Sequence, residues 1–483
     1  MDGGYMGNST SRFGGEAIRT HRKQDNDMKA ATPEAASALA RGEDELKQLA
    51  TDVLGYAKRI GATGAVAHVT EGEGRSVSVR LGETETIEFS RDKRIDVTVL
   101  IGNHSGKAGT SDFSRAALKD TVAAAYHIAR FAADDPAGGL TEEEWFERAP
   151  PDLDLYHAWP LPASDAAALA RRAESAAFAV SPLICNSEGA SVSSRGQQFV
   201  LATSNGFIGG YASSQHMLAC VPIAGSDGLM QKEPWYVSAR CPADLATPEA
   251  VGRYAAQRAV ARIGARRLDT CKVPVLFDAP LATGLLGSFA QAASGGALYR
   301  NASFLVGGLG KRVFAPHVQI VEDPHILRGF GSAPFDDEGV RTRRRDVVRD
   351  GVLSGYFLST YSARKLGLYT TGNAGGAHHL TLRSTHTHPA DDLDMMLRRL
   401  DTGLFVTALI GQGVNTVTGS YSRGAAGYWV ERGVIQYPVQ EITIAGSLQD
   451  MFARIVAVGA DSFVRGAMES GSVLIEQMTV AGQ

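Results

Sequence analysis

The chain has 483 residues, of which 44% are hydrophobic and 21% are charged, values that are typical of a globular protein. This length exceeds one ordinary hydrophobic core and predicts two or three domains. The net charge of −4 predicts no binding to nucleic acid or to an anionic membrane surface. No segment has the roughly eighteen consecutive apolar residues that a membrane helix needs, and we expect no secretory signal. The four cysteines lack a CxxC spacing, which is typical of reduced thiols in a cytoplasmic protein.

The first half of the chain mixes helical and strand-like patterns. Residues 1–44 lack a sustained hydrophobic period, which predicts a flexible N-terminal tail. Apolar residues three and four apart over 46–57 predict a helix, and alternating apolar residues over 77–101 predict strands. Together with the elements that follow, these form a predicted N-terminal α/β domain over 45–268. Local signals place the other elements: helices capped by Ser114, Ser164 and Thr247, and a hairpin at Asn205-Gly206.

The second half, residues 269–483, is predicted to be a largely antiparallel β domain. A helix is expected over 280–293, and two shorter ones near 389–400 and 446–456. Short apolar runs broken by glycine predict the strands, among them VQIVED, GLFVTALIGQGV, EITIAG and GSVLIEQMTVAG. The predicted fold class is therefore α+β, with an α/β domain followed by a β-rich domain.

Four histidines in HHLTLRSTHTH form the densest cluster of metal-ligand side chains: His378, His379, His386 and His388. Histidines at i and i+2 point the same way on a strand, so His386 and His388 could share a metal ion. No cysteine lies nearby, and the next carboxylates follow a proline in a predicted turn. A polar surface loop is the favoured interpretation, and a metal site is the alternative.

A second segment of interest is GQGVNTVTGSYSRGAAGYWVERG, residues 411–433. It does not have the strand, GxGxxG and helix order of a dinucleotide-binding site. Glycines at this density allow another backbone to come close, either a neighbouring strand or a bound peptide. A structural role is favoured, and the alternative is contact with a peptide or a subunit through Gly411, Gly413, Asn415, Gly419, Tyr421, Ser422, Arg423 and Gly424.

The same segment, extended over 403–459, resembles the C-terminal signature of the TldD/PmbA metalloprotease family, in its PmbA branch, which is also called TldE. The resemblance continues through PFDDEGVRTRRRDVVRDGVL, YSARKLGLYTTGNAGGAHH and GGALYRNASFLVGGLGKRV, and it covers about residues 45–483. In this family the proteolytic subunit carries an HExxxH motif on a helix and a zinc-binding cysteine near its C-terminus. Two histidines on one helix can hold one ion while the glutamate acts as a general base.

The helix LLGSFAQAASGG of this chain matches the HExxxH helix but has Gly287, Ser288 and Ala292 at the three motif positions. The cysteine is also missing, because none follows Cys271. The resemblance therefore implies a chain that binds no cofactor, lacks catalytic residues of its own and pairs one to one with a TldD-type subunit that carries the zinc. Such a complex would process or degrade peptides and unfolded polypeptides, and the isolated chain would be a monomer or a homodimer.

Two other functions stay open at this stage. One is a metallohydrolase that is active alone and has its metal relocated to His378, His379, His386 and His388. The other is a regulator that binds DNA gyrase or an antitoxin, although the acidic net charge argues against direct contact with DNA.

Overall fold

The computed structural model describes residues 39–225 and 230–482. Most of the predicted tail, up to residue 38, lies outside the described residues. The first helix of the described residues begins at Glu43, and the tail boundary at residue 44 stays a prediction.

The first half of the chain builds one sheet in which every strand pairing is antiparallel. Asn205 and Gly206 lie in the turn between its two longest neighbouring strands, which confirms the predicted hairpin. The strands are β1 (Gly64–Arg80), β2 (Glu83–Ile101), β3 (His104–Thr110), β4 (Ile184–Thr203), β5 (Ile208–Ala224), β6 (Gln231–Lys232) and β7 (Trp235–Ala239). Their order is β3-β2-β1-β4-β5-β6, and β7 also pairs with β5.

Four helices cover one face of this sheet: α1 (Glu43–Arg59), α2 (Arg115–Phe131), α3 (Ala163–Phe178) and α4 (Pro248–Ala261). The hydroxyls of Ser114 and Thr247 accept backbone N–H groups of the first turns of α2 and α4, which confirms both predicted caps. The predicted cap at Ser164 is wrong. Helix α3 already begins at Ala163, and the Ser164 hydroxyl donates to Asp165 inside the first turn.

The second half contains two further sheets. Their strands are β8 (Cys271–Phe277), β9 (Val318–Asp323), β10 (Arg345–Arg349), β11 (Val352–Leu353), β12 (His379–Ser384), β13 (Gly403–Ile410), β14 (Val414–Asn415), β15 (Ser420–Glu431), β16 (Val434–Ser447), β17 (Ile455–Val458), β18 (Phe463–Arg465), β19 (Met468–Ser470) and β20 (Val473–Ala481). The strand orders are β11-β10-β9-β12-β19-β18 and β13-β8-β20-β16-β15-β14, and β17 pairs with β20. Of these strand pairs, only β12 with β19 and β13 with β8 are parallel, so the predicted antiparallel character is confirmed for the part of the chain described.

The helices of this half are α5 (Ala279–Ala292), α6 (Gly295–Tyr299), α7 (Thr360–Leu366), α8 (Leu393–Leu400) and α9 (Leu448–Ala453). The most apolar of the predicted helices, α5, lies in a hydrophobic core that it shares with residues of both sheets. The fold is therefore α+β, as predicted. The boundary near residue 268 stays a prediction, although the first sheet ends at Ala239 and the other two begin at Cys271.

A buried charge network joins the two halves at the start of α5. Arg258 of α4 donates to Glu233 at 2.8 Å and to Asp278, the residue before α5, at 3.3 Å. Arg262 donates to the second oxygen of Glu233 at 2.8 Å. The partners lie far apart in sequence, so no local pattern could have indicated that they meet. The network fixes the beginning of α5 relative to the first sheet.

Candidate functional site

Helix α5, at the family's motif positions, is anchored by its buried face. Phe289 has no solvent exposure, and its ring packs edge-on against Phe314 at 5.2 Å and Phe452 at 6.3 Å between ring centres. The side chains of Leu285 and Leu286 lie in the same core. At about 25 cal/mol per Å² of apolar surface, burial of such side chains stabilises the helix position by several kcal/mol. The helix is therefore held rigidly although it carries no charged side chain.

The opposite face of α5 is a stripe of small and polar residues that we call the bare stripe: Gly284, Gly287, Ser288 and Gln291. These positions are three and four residues apart, so they lie along one side of the helix, and all four are exposed or half-exposed. A Cβ atom added at Gly284 or Gly287 would meet no atom within 4 Å apart from its chain neighbours and the backbone of its own helix. The stripe consequently offers open space directly above the helix backbone.

The bare stripe does not fit a zinc ion. Gly287 has no side chain, and the Ser288 hydroxyl donates to the carbonyl oxygen of Gly284 at 3.0 Å. Ala292 is fully buried, and its carbonyl oxygen accepts a hydrogen bond from Ser303 at 2.6 Å. At about 100° per residue, positions 287 and 292 point in directions about 140° apart, so in this helix the motif positions do not share one face.

The four histidines predicted as an alternative metal site are not brought together. His379 lies on β12, which ends at Ser384. His386 and His388 are exposed in the loop that follows, as the favoured interpretation of the sequence has it, and the strand geometry of the alternative metal site is absent there. The ring of His386 stacks on His317 at 4.7 Å. Across residues 39–225 and 230–482, no group of three His, Cys, Asp or Glu side chains has the arrangement of a metal site.

The other two histidines make separate polar contacts in the protein interior. His378 Nε2 donates to the carbonyl oxygen of Gly372 at 2.8 Å. His379 Nε2 lies 3.3 Å from the carboxylate of Glu469. The hydrogen bond from His379 is the largest influence that lowers the pKa of Glu469 to about 2, and a hydroxyl of Ser462 adds to it. This pair contributes to packing between β12 and β19.

The glycine-rich segment 411–424 lies on β14, β15 and the loop before them. Two of its glycines are required by the structure. A Cβ at Gly413 would lie 1.7 Å from the backbone carbonyl oxygen of Ser422. Gly419 has a φ of 79°, in the left-handed region that favours glycine. Tyr421 is buried against Phe277, with 6.5 Å between ring centres.

The remaining predicted contact residues of this segment differ in their surroundings. Gly411, Asn415 and Ser422 are exposed, whereas Arg423 and Gly424 are half-buried. Asn415 closes its own turn by accepting the backbone N–H of Val417 at 2.9 Å. Their role in contacting peptide or a subunit stays a prediction.

A buried acid in the segment PFDDEG was not singled out by its sequence. The carboxylate of Asp336 accepts backbone N–H groups of Glu338, Val340 and Ala374, each at 2.9 Å. Burial nevertheless dominates and raises the pKa of Asp336 to about 7. Backbone N–H groups occupy both carboxylate oxygens of Asp336. The side chain therefore joins its own loop, at Glu338 and Val340, to the segment at Ala374, and it is not free to bind a ligand.

Most of this chain matches the models of one known protein family. Three family models match consecutive parts of the chain: PmbA/TldA metallopeptidase domain 1 at residues 66–129, the central domain at 156–263 and the C-terminal domain at 270–482. The chain is 45% identical to the metalloprotease PmbA of Escherichia coli O157:H7 over 420 residues. This aligned region covers 87% of this chain and 92% of that protein. The chain belongs to the PmbA/TldD metalloprotease family, in its PmbA branch.

A further relative agrees in sequence, and two solved structures agree in fold. A PmbA homolog of Haemophilus influenzae is 42% identical over 94% of this chain and 100% of that protein. A solved structure from Bacteroides thetaiotaomicron, described as a candidate modulator of DNA gyrase, superposes with a TM-score of 0.85 at 25% identity, over 91% of this chain and 99% of that one. TldE from Thermococcus kodakarensis shares the fold, with a TM-score of 0.77 at 18% identity, over 90% and 100% of the two chains. No helix among the described residues has the length and apolar character needed to cross a membrane.

Proposed function

We propose that this chain is the non-catalytic PmbA-type subunit of a cytoplasmic peptidase complex. Its partner is a TldD-type chain that carries the HExxxH motif and the zinc, in a ratio of one to one. The pair processes or degrades peptides and unfolded polypeptides. The observation that carries the proposal is the composition of α5, which has Gly287, Ser288 and the buried Ala292 at the positions where the family's catalytic helix has its ligands.

The chemistry of these positions supports a role other than zinc binding. Zinc in a catalytic site needs about three protein donors, and histidine, carboxylate and cysteine are the side chains that supply them. Of the residues at positions 287, 288 and 292, only Ser288 has a polar side chain, and its hydroxyl is hydrogen-bonded to its own helix. The absence of Cβ atoms at Gly284 and Gly287 leaves room for an extended peptide or another backbone to lie along the helix.

A glycine substitution on the stripe tests this role. Gly287→Leu fills the open space without touching the core, and Gly55→Leu is a matched control, since Gly55 is a half-exposed glycine in the middle of α1. Both variants gain helix propensity. We expect the complex reconstituted with an HExxxH subunit to lose peptidase activity with Gly287→Leu and to keep it with Gly55→Leu. Chelator-sensitive cleavage by the purified chain alone, with about one zinc per chain, would overturn the proposal.

Restoring the motif gives a second test. The variant Gly287→His, Ser288→Glu and Ala292→His should not acquire zinc-dependent peptidase activity. The cysteine ligand is still absent, and the new imidazole at the fully buried position 292 has to displace core side chains. Turnover of an unstructured peptide by this variant alone, abolished by a chelator, would contradict the reasoning.

A further inference from the structure

A row of polar side chains crosses the first sheet between its two pairs of helices. Helices α1 and α2 pack on one end of β1 and β4, and α3 and α4 pack on the other end. Between them, Arg75 of β1 lies opposite Ser194 of β4, which lies opposite His216 of β5. Directly opposed residues of neighbouring strands point to the same face of a sheet. The three side chains line one cleft together with Tyr156 and Trp159, and we call it the serine cleft.

The hydroxyl of Ser194 is hydrogen-bonded to the ring of His216. Its oxygen lies 2.9 Å from Nδ1, and Nε2 of the same ring lies 2.9 Å from the carbonyl oxygen of His157. A carbonyl oxygen can only accept, so Nε2 carries the ring proton and Nδ1 accepts the proton of the serine. Burial is the largest influence on His216 and lowers its pKa, which keeps the ring neutral at neutral pH. A serine whose proton points at a neutral imidazole has the geometry of an activated nucleophile.

The carbonyl group that orients His216 is itself fixed in place. The Ser214 hydroxyl accepts the backbone N–H of His157 at 2.9 Å and donates to the carbonyl oxygen of Arg240 at 2.8 Å. The ring of Trp159 packs edge-on against His216, with 5.3 Å between ring centres, and His216 is only 1% exposed. The imidazole therefore keeps its orientation before any substrate binds, as a general base requires.

The serine cleft combines positive charge with a small volume. Arg75 lies beside Ser194, and the exposed Arg195 lines the cleft as well. The acid Glu73 also lines it, but its carboxylate lies 3.7 Å from the guanidinium of Arg91. A cation beside the serine stabilises negative charge that develops on an oxygen bound there. The cleft has a volume of about 50 Å³, and about 10–15 Å³ is enough for one water molecule, so it accepts a group of a few heavy atoms.

We propose that Ser194 is a nucleophile activated by His216 and that the serine cleft takes esters of short carboxylic acids. The Ser194 oxygen attacks the ester carbonyl carbon, its proton passes to Nδ1 of His216, and the carbonyl oxygen takes up the negative charge beside Arg75. As the carbonyl group reforms, the bond to the alcohol oxygen breaks, and the alcohol leaves with the proton from His216. Water then attacks the acyl-serine with the help of the same base, and the carboxylic acid is released.

This site is separate from the α5 positions that carry the proposed function. Ser194 and His216 belong to the first sheet, which ends before α5 begins. The proposed reaction needs neither zinc nor a second subunit. A chelator in every assay therefore distinguishes it from metal-dependent cleavage, and its failure would leave the proposed function standing.

Methanesulfonyl fluoride and p-nitrophenyl acetate test the site on the full chain, because each transfers a group small enough for the cleft. Peptide mapping by mass spectrometry is expected to find the methanesulfonyl group on Ser194 of the folded chain and not on Ser194 of the chain unfolded in urea. Repeated turnover of p-nitrophenyl acetate should be lost in Ser194→Ala. His216→Gln should slow modification of Ser194 about 100-fold or more, as expected when a general base is removed. Ser193→Ala is the matched control, since Ser193 is also half-buried on β4 but points to the opposite face, and it should keep both reactions.

Two results would overturn the proposal. One is a Ser194 that stays unmodified in the folded wild-type chain, which is what a purely structural hydrogen bond predicts. The other is modification of Ser194 at the wild-type rate in a folded His216→Gln variant, because His216 would then not act as the base. The mapping of the wild-type chain needs no substitution, so it decides the question even where a variant fails to fold.

Discussion

The clearest quantitative prediction concerns Arg258, whose guanidinium group satisfies two buried acids. Its partners Glu233 and Asp278 have side chains that are 6% and 12% exposed. The group also lies 5.4 Å from the ring centre of Trp235. Replacing Arg258 with methionine keeps an apolar chain of similar length but removes every hydrogen bond and the charge.

The loss of folding stability depends on the two carboxylates that stay buried after Arg258 is replaced. Removing one partner of a buried ion pair destabilises a protein by about 3–5 kcal/mol, because the other charge stays buried without compensation. Glu233 keeps its contact with Arg262, whereas Asp278 loses the cation that opposes the burial-driven rise of its pKa. We therefore expect the lower end of that range, about 3 kcal/mol, for Arg258→Met. In the exposed pair of Arg172 with Glu249, Arg172→Met should cost much less than Arg258→Met, because solvent screens the two charges.

Urea unfolding, followed by circular dichroism and tryptophan fluorescence, measures both variants under the same conditions. The double variant Arg258→Met with Asp278→Asn should be less destabilised than the sum of the two single variants, because the unpaired charge is removed with its cation. The reasoning is refuted if Arg258→Met lowers stability no more than Arg172→Met does.

Two further predictions address contacts within each half, the first in the second half of the chain and the second in the first half. The folded pKa of Glu469, about 2, lies below its ordinary value of 4.5, so its contribution to stability is complete above about pH 4.5 and is lost as the pH falls towards 2. In the Glu469→Gln variant, the melting temperature should fall less between pH 4.5 and 2 than it does in the wild type. An equal fall in both proteins would show that the contact with His379 does not stabilise the fold. Gly252→Ala should destabilise by about 2–3 kcal/mol, since its Cβ would lie 1.9 Å from the carbonyl oxygen of Ala173 where α4 crosses α3. Gly55→Ala, in an open helix position, should gain up to about 1 kcal/mol in the same denaturation experiment, and equal effects would contradict the close approach.

The sequence by itself determined those features that depend on neighbouring residues. The caps at Ser114 and Thr247 and the Asn205-Gly206 turn could be predicted because their hydrogen bonds and backbone angles are local. The α+β class followed from hydrophobic periodicity, which the buried faces of the helices and strands obey. The sequence also showed that Gly287, Ser288 and Ala292 provide no metal-ligand side chains, because this depends on residue type alone.

The tertiary structure decided what depends on partners distant in the chain. The sequence favoured a loop at His386 and His388 and left a strand as the alternative; the β9 strand that pairs with β12 begins at Val318, opposite Ser384, so the ladder ends before them. The full burial of Ala292 depends on the core around α5, and the meeting of Arg258 with Asp278 depends on how the two halves pack. Strand length, burial and charge pairing are set by contacts between segments, and a single sequence gives the residues of those contacts without the distances between them.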